Sequence, residues 1–268
     1  MPLKILEYVR PKTLEEAYEL LQKDGAEILG GTTYARLSNR TIKLAIDLQD
    51  AGISDIYEED GYIVVGAMAR LANMQFHNLI MEYANGYLYD AISYVWSVQL
   101  RNIATVGGTI VPKWGFSDFI TAVLALPSEV EFYKAGRMKL EEFLENPTPK
   151  KDIMTKLLIK KETRKASFKF MRNSVYDFSI VNVAVSAKDE NGKLTDWRVA
   201  VGARPGVAAL SKKAMEILND GNDESHVEEA IKTMQEELNF ADDFRWSGEY
   251  RREVAGALMR NAISEVIG

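Results

Sequence analysis

The stretch "ILGGTTYARL", residues 28–37, places two glycines and two threonines directly behind a short apolar run, and "ATVGGTIV", residues 104–111, repeats the design. A glycine pair lets backbone N–H groups turn toward an anion with no Cβ in the way. An adjoining threonine adds a hydroxyl donor, so phosphate is the natural ligand, and two such loops suit a diphosphate. A Gly-Gly pair also marks an ordinary tight turn. Neither stretch fits the commoner nucleotide templates: no lysine follows at Walker spacing, and "GGTTYA" lacks the Gly-x-Gly-x-x-Gly order of a Rossmann unit.

The flanks of the first pair set its context. "KTLEEAYELLQKDG" predicts a helix: Thr13 and Glu16 have capping-box spacing, Ala17, Leu20 and Leu21 share a face, and Gly25 can close the end. "AEIL", "IKLAIDL" (42–48) and "YIVVGA" (62–67) read as strands, the last entered through the acidic turn "EEDG". "LANMQFHNLIMEYA" and "YLYDAISYVWSV" read as helices before the second pair, and "FSDFITAVLAL" and "EVEFYK" as a helix and a strand after it. The pattern is α+β, with both glycine pairs expected in turns.

A proline-containing charged connector, "ENPTPKKD" (145–152), marks the vicinity of a domain boundary. Beyond it "FSIVNVAVSAKDENGKLTDWRVAVGA" predicts two alternating strands joined through Asn191-Gly192, and three helical segments follow "AALSKK". No repeat of solenoid length is present.

With 268 residues and 47% hydrophobic content the chain can bury a large core, and two domains are expected. It has no cysteine, which removes disulfides, thiolate zinc sites and iron–sulfur clusters held by this chain. Its two histidines, His77 and His226, are far apart and read as ordinary core or surface residues. No segment approaches the roughly 20 apolar residues of a membrane helix, so a soluble, cytoplasmic protein is expected. The net charge is −6, the acidic excess lying in the last 53 residues, which argues against a nucleic-acid partner.

Three stretches, "ILGGTTYARL", "RNIATVGGTIV" leading into "FSDFITAVLAL", and "FKFMRNSVYDFSIVNVAVS", resemble in order the signatures of the FAD-binding medium subunit of molybdenum hydroxylases, the xanthine dehydrogenase and aerobic carbon monoxide dehydrogenase family. The likeness continues through "VAVGARP", "AMEILNDG" and "YRREVAGALMRNA", covering nearly the whole chain. It implies an α+β fold. A two-subdomain FAD-binding domain of vanillyl-alcohol-oxidase (PCMH) type would span 1–160, with subdomains of about 1–53 and 54–160. A domain like the carbon monoxide dehydrogenase flavoprotein C-terminus, an antiparallel sheet with a helical bundle, would span 161–268.

Carried over by position, the resemblance assigns Leu29, Gly30, Gly31, Thr32, Thr33 and Tyr34 to a first diphosphate loop and Thr105, Val106, Gly107, Gly108 and Thr109 to a second. Asp118 matches an aspartate that hydrogen-bonds the ribityl or adjacent part of FAD, though it reads equally as a helix cap. Lys169 matches a lysine near the flavin, or is a solvated strand residue. Two departures stand out. Thr109 replaces the family's asparagine, and "VPKWGFSD" replaces a run of small residues and proline. Trp114 and Phe116 in that run, and Trp96 before it, are an aromatic wall for the cofactor or simply core.

The implied activity is electron transfer: FAD on this chain, an iron–sulfur small subunit and a molybdenum-cofactor large subunit as partners, and NAD or another acceptor at the end. Redox chemistry would belong to the flavin, so no side chain need act as acid, base or nucleophile. Two other readings differ in class. One is a flavin-free scaffold or assembly subunit that has lost FAD through the altered second loop. The other is a free-standing flavin oxidase, for which no constellation of His, Tyr and carboxylates is visible.

Overall fold

A computed structural model describes residues 3–268. Its first unit is a parallel sheet of β1 (Lys4–Val9), β2 (Ala26–Leu29) and β3 (Thr41–Asp47) in the order β1-β3-β2. Parallel strands require the chain to return to its starting end, and α1 (Leu14–Leu21) makes that return between β1 and β2. Thr13 Oγ1 accepts from the Glu16 N–H at 3.2 Å, as the capping-box spacing predicts. The Glu16 carboxylate reaches one residue further back than in the usual box, accepting from the Lys12 N–H at 3.0 Å. Ala17 and Leu21 are the buried face of α1.

The second unit is an antiparallel sheet of β4 (Ile56–Glu59), β5 (Tyr62–Gly66), β6 (Ser128–Phe132), β7 (Gly136–Lys139) and β8 (Met154–Lys160), ordered β4-β5-β8-β6-β7. Between β5 and β6 the chain forms α2 (Leu71–Gln75), α3 (Asn78–Glu82), α4 (Tyr87–Ser93), α5 (Val98–Arg101), α6 (Val106–Ile110) and α7 (Asp118–Leu124), and α8 (Leu140–Glu145) follows β7. The single helix expected over "LANMQFHNLIMEYA" is broken at His77, whose backbone is extended. On an unbroken helix Ile80 would face away from Leu71; the break lets both be fully buried. The charged connector at 145–152 does not end this unit, because the chain returns through it as β8, between β5 and β6.

The third unit is the antiparallel sheet of β9 (Arg164–Met171), β10 (Val181–Glu190), β11 (Lys193–Gly202) and β12 (Ala209–Leu210), ordered β12-β11-β10-β9. Asn191 and Gly192 take φ of +58° and +91°, the two left-handed residues a tight hairpin turn requires. Three helices, α9 (Lys212–Asp220), α10 (Glu224–Glu237) and α11 (Gly248–Ile267), cover one face, packing on Val183, Val185, Trp197 and Val199. Ala184, Ala200 and Phe168 on the other face join the core of the second unit. Coverage on both faces explains why "VNVAVSA" carries so little polar alternation. Among the described residues no helix is long and apolar enough to cross a membrane.

Candidate functional site

β2 delivers the chain to Gly30 at the junction of the first two units, where the first glycine pair backs directly onto the second. A Cβ built on Gly30 would sit 2.8 Å from the Gly108 Cα, and one on Gly31 would sit 1.8 Å from the Ile103 carbonyl oxygen. Glycine at position 31 is therefore demanded by the protein's own backbone, not by the space a ligand would need. Beyond the contact the chain turns sharply: Thr32 has φ of +54°. Among the described residues no group accepts a hydrogen bond from the N–H of Gly31, Thr32, Thr33 or Tyr34. Successive unpaired N–H groups around a left-handed residue form a concavity that suits an anion.

The second pair is built differently. The turn expected around Gly107 and Gly108 is the first turn of α6, capped by Thr105. Val106 N–H donates to Ala69 O at 2.9 Å and Gly107 N–H to Ala67 O at 2.7 Å. Gly108 N–H donates to Thr105 Oγ1 at 3.1 Å, and Thr109 donates both its N–H (3.0 Å) and its hydroxyl (2.8 Å) to Thr105 O. No N–H from Val106 to Thr109 is left for an anion. The glycines here serve close approach: a Cβ on Gly107 would lie 3.0 Å from the Ala67 side chain, and one on Gly108 2.8 Å from Thr105 Oγ1.

Two cavities flank the first turn and share Gly31, Thr32, Thr33 and Tyr34 as their common edge. One, of about 410 Å³, is lined further by Ser38, Arg40, Thr105, Gly107 and Met154. The other, of about 500 Å³, is lined by Arg36, Trp96, Ile103, Trp114, Phe116 and Asp118, and is closed by Phe178 from the third unit. Gly108 and Thr109 line both. Arg36 makes no ion pair among the described residues, its Nε donating to Thr33 O at 3.3 Å.

Asp118 is buried at the start of α7, but the helix cap is Ser117, whose hydroxyl accepts from the Ile120 N–H at 3.2 Å. The Asp118 carboxylate accepts from Ser179 Oγ at 2.6 Å, Asn182 Nδ2 at 2.6 Å and the Arg172 guanidinium at 2.9 Å. Burial pushes its carboxyl above the ordinary carboxylate range, and the Arg172 charge and these hydrogen bonds offset that only in part. Arg172 also donates to Tyr94 O at 3.0 Å and lies 4.0 Å over the Phe170 ring, so it ties the third unit to the second. Arg172, Ser179, Asn182 and Phe178 all fall inside the third motif, yet no spacing rule singles them out. Only the fold places them against Asp118.

Several predicted residues are not part of either cavity. Leu29 and Val106 are buried in the packing behind the two glycine pairs. Lys169 lies on β9, pairs with Glu265 of α11, and lines a separate polar cavity of about 300 Å³ with Asp90, Tyr94 and Ser167. Strand alternation explains this, since Phe168 and Phe170 take the face toward the second unit and Lys169 takes the other. Trp114 and Phe116 are half-buried and face the larger cavity, so they are wall, not core.

The sequence matches two family descriptions in tandem: "FAD binding domain in molybdopterin dehydrogenase" over residues 4–161 and "CO dehydrogenase flavoprotein C-terminal domain" over residues 166–266. It is 26% identical to the Escherichia coli K12 protein YgfM, itself uncharacterised, over 97% of this chain and 96% of that one. It is 29% identical to the nicotinate dehydrogenase FAD-subunit of Eubacterium barkeri over 73% of each. A crystal structure of Cu,Mo-CO dehydrogenase superposes with a TM-score of 0.91 at 19% identity, covering 100% of this chain and 99% of that one, a likeness of fold. The unpaired N–H turn between two cavities fits a dinucleotide diphosphate, and the match over residues 4–161 agrees: this chain belongs to the FAD-binding family of the molybdopterin dehydrogenases, an oxidoreductase subunit whose cofactor is FAD.

Proposed function

We propose that this chain is the electron-transfer subunit of a molybdenum hydroxylase complex, taking electrons from an iron–sulfur partner and delivering them to NAD or another acceptor. The observation that carries the reading is the set of four unpaired N–H groups at Gly31–Tyr34, set between two cavities that an elongated dinucleotide can enter together. Bound FAD supplies the redox chemistry, which no side chain of this protein can. The chain's own work is binding and orientation. The Gly31–Tyr34 turn donates to the diphosphate, and the Arg36 guanidinium opposes its charge from the mouth of the larger cavity. Thr105, Gly107, Gly108 and Thr109 form the wall against which that turn is braced, with Leu29 and Val106 anchoring its two sides. A carboxylate has about four acceptor sites, of which Asp118 uses three on protein groups, leaving one for a hydroxyl of the ligand.

The partner assignment is supported by the lack of cysteine, which leaves this chain without a cluster of its own, and by the subunit names of its relatives. Recovery from its native cell with iron- and molybdenum-containing chains is the expected result; a stable isolated protein without either would overturn it. Purified protein supplemented with FAD should retain flavin absorption after gel filtration and release FAD on denaturation. A folded protein that never retains flavin would replace this reading with that of a scaffold subunit. Arg36→Gln should weaken FAD binding roughly tenfold and flatten its salt dependence, with the melting temperature of the flavin-free protein unchanged.

A further inference from the structure

The wall of the larger cavity carries a group of aromatic rings that the diphosphate does not explain. Tyr34, Trp114 and Phe116 lie within 31° of mutual parallel, with centroids 4.7, 5.1 and 5.6 Å apart. Phe178 meets Phe116 at 4.4 Å from the third unit, and Trp96 stands edge-on to Phe178 at 5.3 Å. None of these five belongs to the buried core, and all line the cavity. Aromatic surface that lines a cavity costs free energy unless a ligand covers it, because apolar surface is left against water.

The loop that presents Trp114 and Phe116 is fixed from both sides. Lys113, at φ of +53°, stretches its ammonium to the carbonyls of Phe143 and Asn146 at the end of α8 and lies 4.2 Å over the Phe143 ring. Gly115 O accepts from the Ala203 N–H at 2.8 Å, and a Cβ at Gly115 would come within 2.5 Å of Gly206 O. Trp114 O accepts from the Ser117 N–H at 3.0 Å. A left-handed lysine, a close backbone contact and a turn hydrogen bond hold the rings in place before any ligand arrives, which lowers the ordering cost of binding.

We propose that Trp114, Phe116 and Tyr34 form the stacking wall for a planar heteroaromatic ring of the dinucleotide. The ring is the isoalloxazine or the adenine, and its stacking substitutes for contacts of the altered second loop. This inference rests on FAD being the ligand. Offset ring stacking supplies both area and geometry, and Phe178 brings the third unit into the same pocket.

The test uses the full chain stripped of flavin and titrated with FAD, FMN and ADP while tryptophan emission is followed, with Trp114→Phe as the reference that removes the Trp114 signal. FAD is expected to quench a component that the reference lacks. FMN reproducing it identifies the flavin ring as the occupant; ADP reproducing the perturbation identifies the adenine. Trp114→Ala and Phe116→Ala are expected to weaken FAD binding, read by ultrafiltration, roughly tenfold, with Trp114→Tyr restoring most of the loss. FAD bound at unchanged affinity in both alanine variants, with no Trp114 component in the quenching, would overturn the stacking wall and leave the function standing. A folded wild-type chain that binds no FAD would overturn both.

Discussion

Gly30-Gly31-Thr32 and Gly107-Gly108-Thr109 share a tripeptide and are pressed together back to back, yet they do opposite work. The first follows a strand, turns through a left-handed threonine and leaves four consecutive N–H groups from Gly31 without acceptors among the described residues. The second opens a helix whose cap and neighbouring strand end accept every N–H from Val106 to Thr109. One pair leaves its donors open to the cavities and the other is the brace behind it. A Gly-Gly-Thr motif thus reports that two backbones approach closely; where its donors point depends on what precedes it in the chain.

The comparison is broken most strongly at Gly31. Alanine there places a methyl 1.8 Å from the Ile103 carbonyl oxygen, backbone against backbone, whereas alanine at Gly107 meets Ala67 at 3.0 Å in a helix that favours alanine. Gly31→Ala is expected to cost about 3 kcal/mol, a melting temperature lower by roughly 10 °C, and Gly107→Ala under about 1 kcal/mol. Thermal denaturation of the flavin-free variants measures both, and equal shifts would show that the two pairs are not distinguished by packing as described.

A smaller effect separates brace from binder. Thr105→Val removes the hydroxyl that accepts from Gly108, leaving that N–H unpaired at the start of α6. Stability should fall by about 1 kcal/mol in chemical denaturation, and FAD affinity measured on the folded fraction should change little, because this pair offers no donor to the ligand. A large affinity loss at unchanged stability would reverse the roles assigned to the two pairs.

The smallest effect comes from a helix start that, unlike the Thr105 cap, carries a charge. Asp223 caps α10, and the Ser225 hydroxyl, then the His226 N–H and ring, hold its carboxyl down at about 2. Its value in the unfolded chain is higher, so its contribution is complete above the ordinary carboxylate range and is lost as pH falls through about 2. Far-UV circular dichroism from pH 5 downward should show α10 loosening in the wild type, with the pH-dependent part absent in Asp223→Asn. The neutral Thr105 cap should show no such titration.

Much of this architecture was legible in local sequence. Thr13 and Glu16 announce α1, Asn191-Gly192 announces the β10–β11 hairpin, and the order of the glycine motifs and "FKFMRNSVYDFSIVNVAVS" points to the family. The site was legible only in part. Gly30 to Tyr34, Thr105 and Gly107 to Thr109 do meet at the cavities, and Asp118 lines one of them. Lys169 went elsewhere because a strand residue's face is set by what its neighbours Phe168 and Phe170 pack against. The second pair became helix because Ala67 and Ala69, distant in sequence, accept its N–H groups. Arg172 and Phe178 carry no signal of spacing at all; their roles exist only once β9 and the loop beyond it lie over α7 and the Trp114 loop.

The sequence by itself determined the elements whose hydrogen bonds close within a few residues, and the family that the ordered motifs identify. It also limited the redox chemistry available to this chain, since a protein with no cysteine holds no thiolate-ligated cluster. The tertiary structure alone decided which N–H groups remain open, which glycine is required by a backbone contact, and which aromatic rings face a cavity. Those properties depend on acceptors and surfaces brought together from far along the chain, and local sequence carries no record of that meeting.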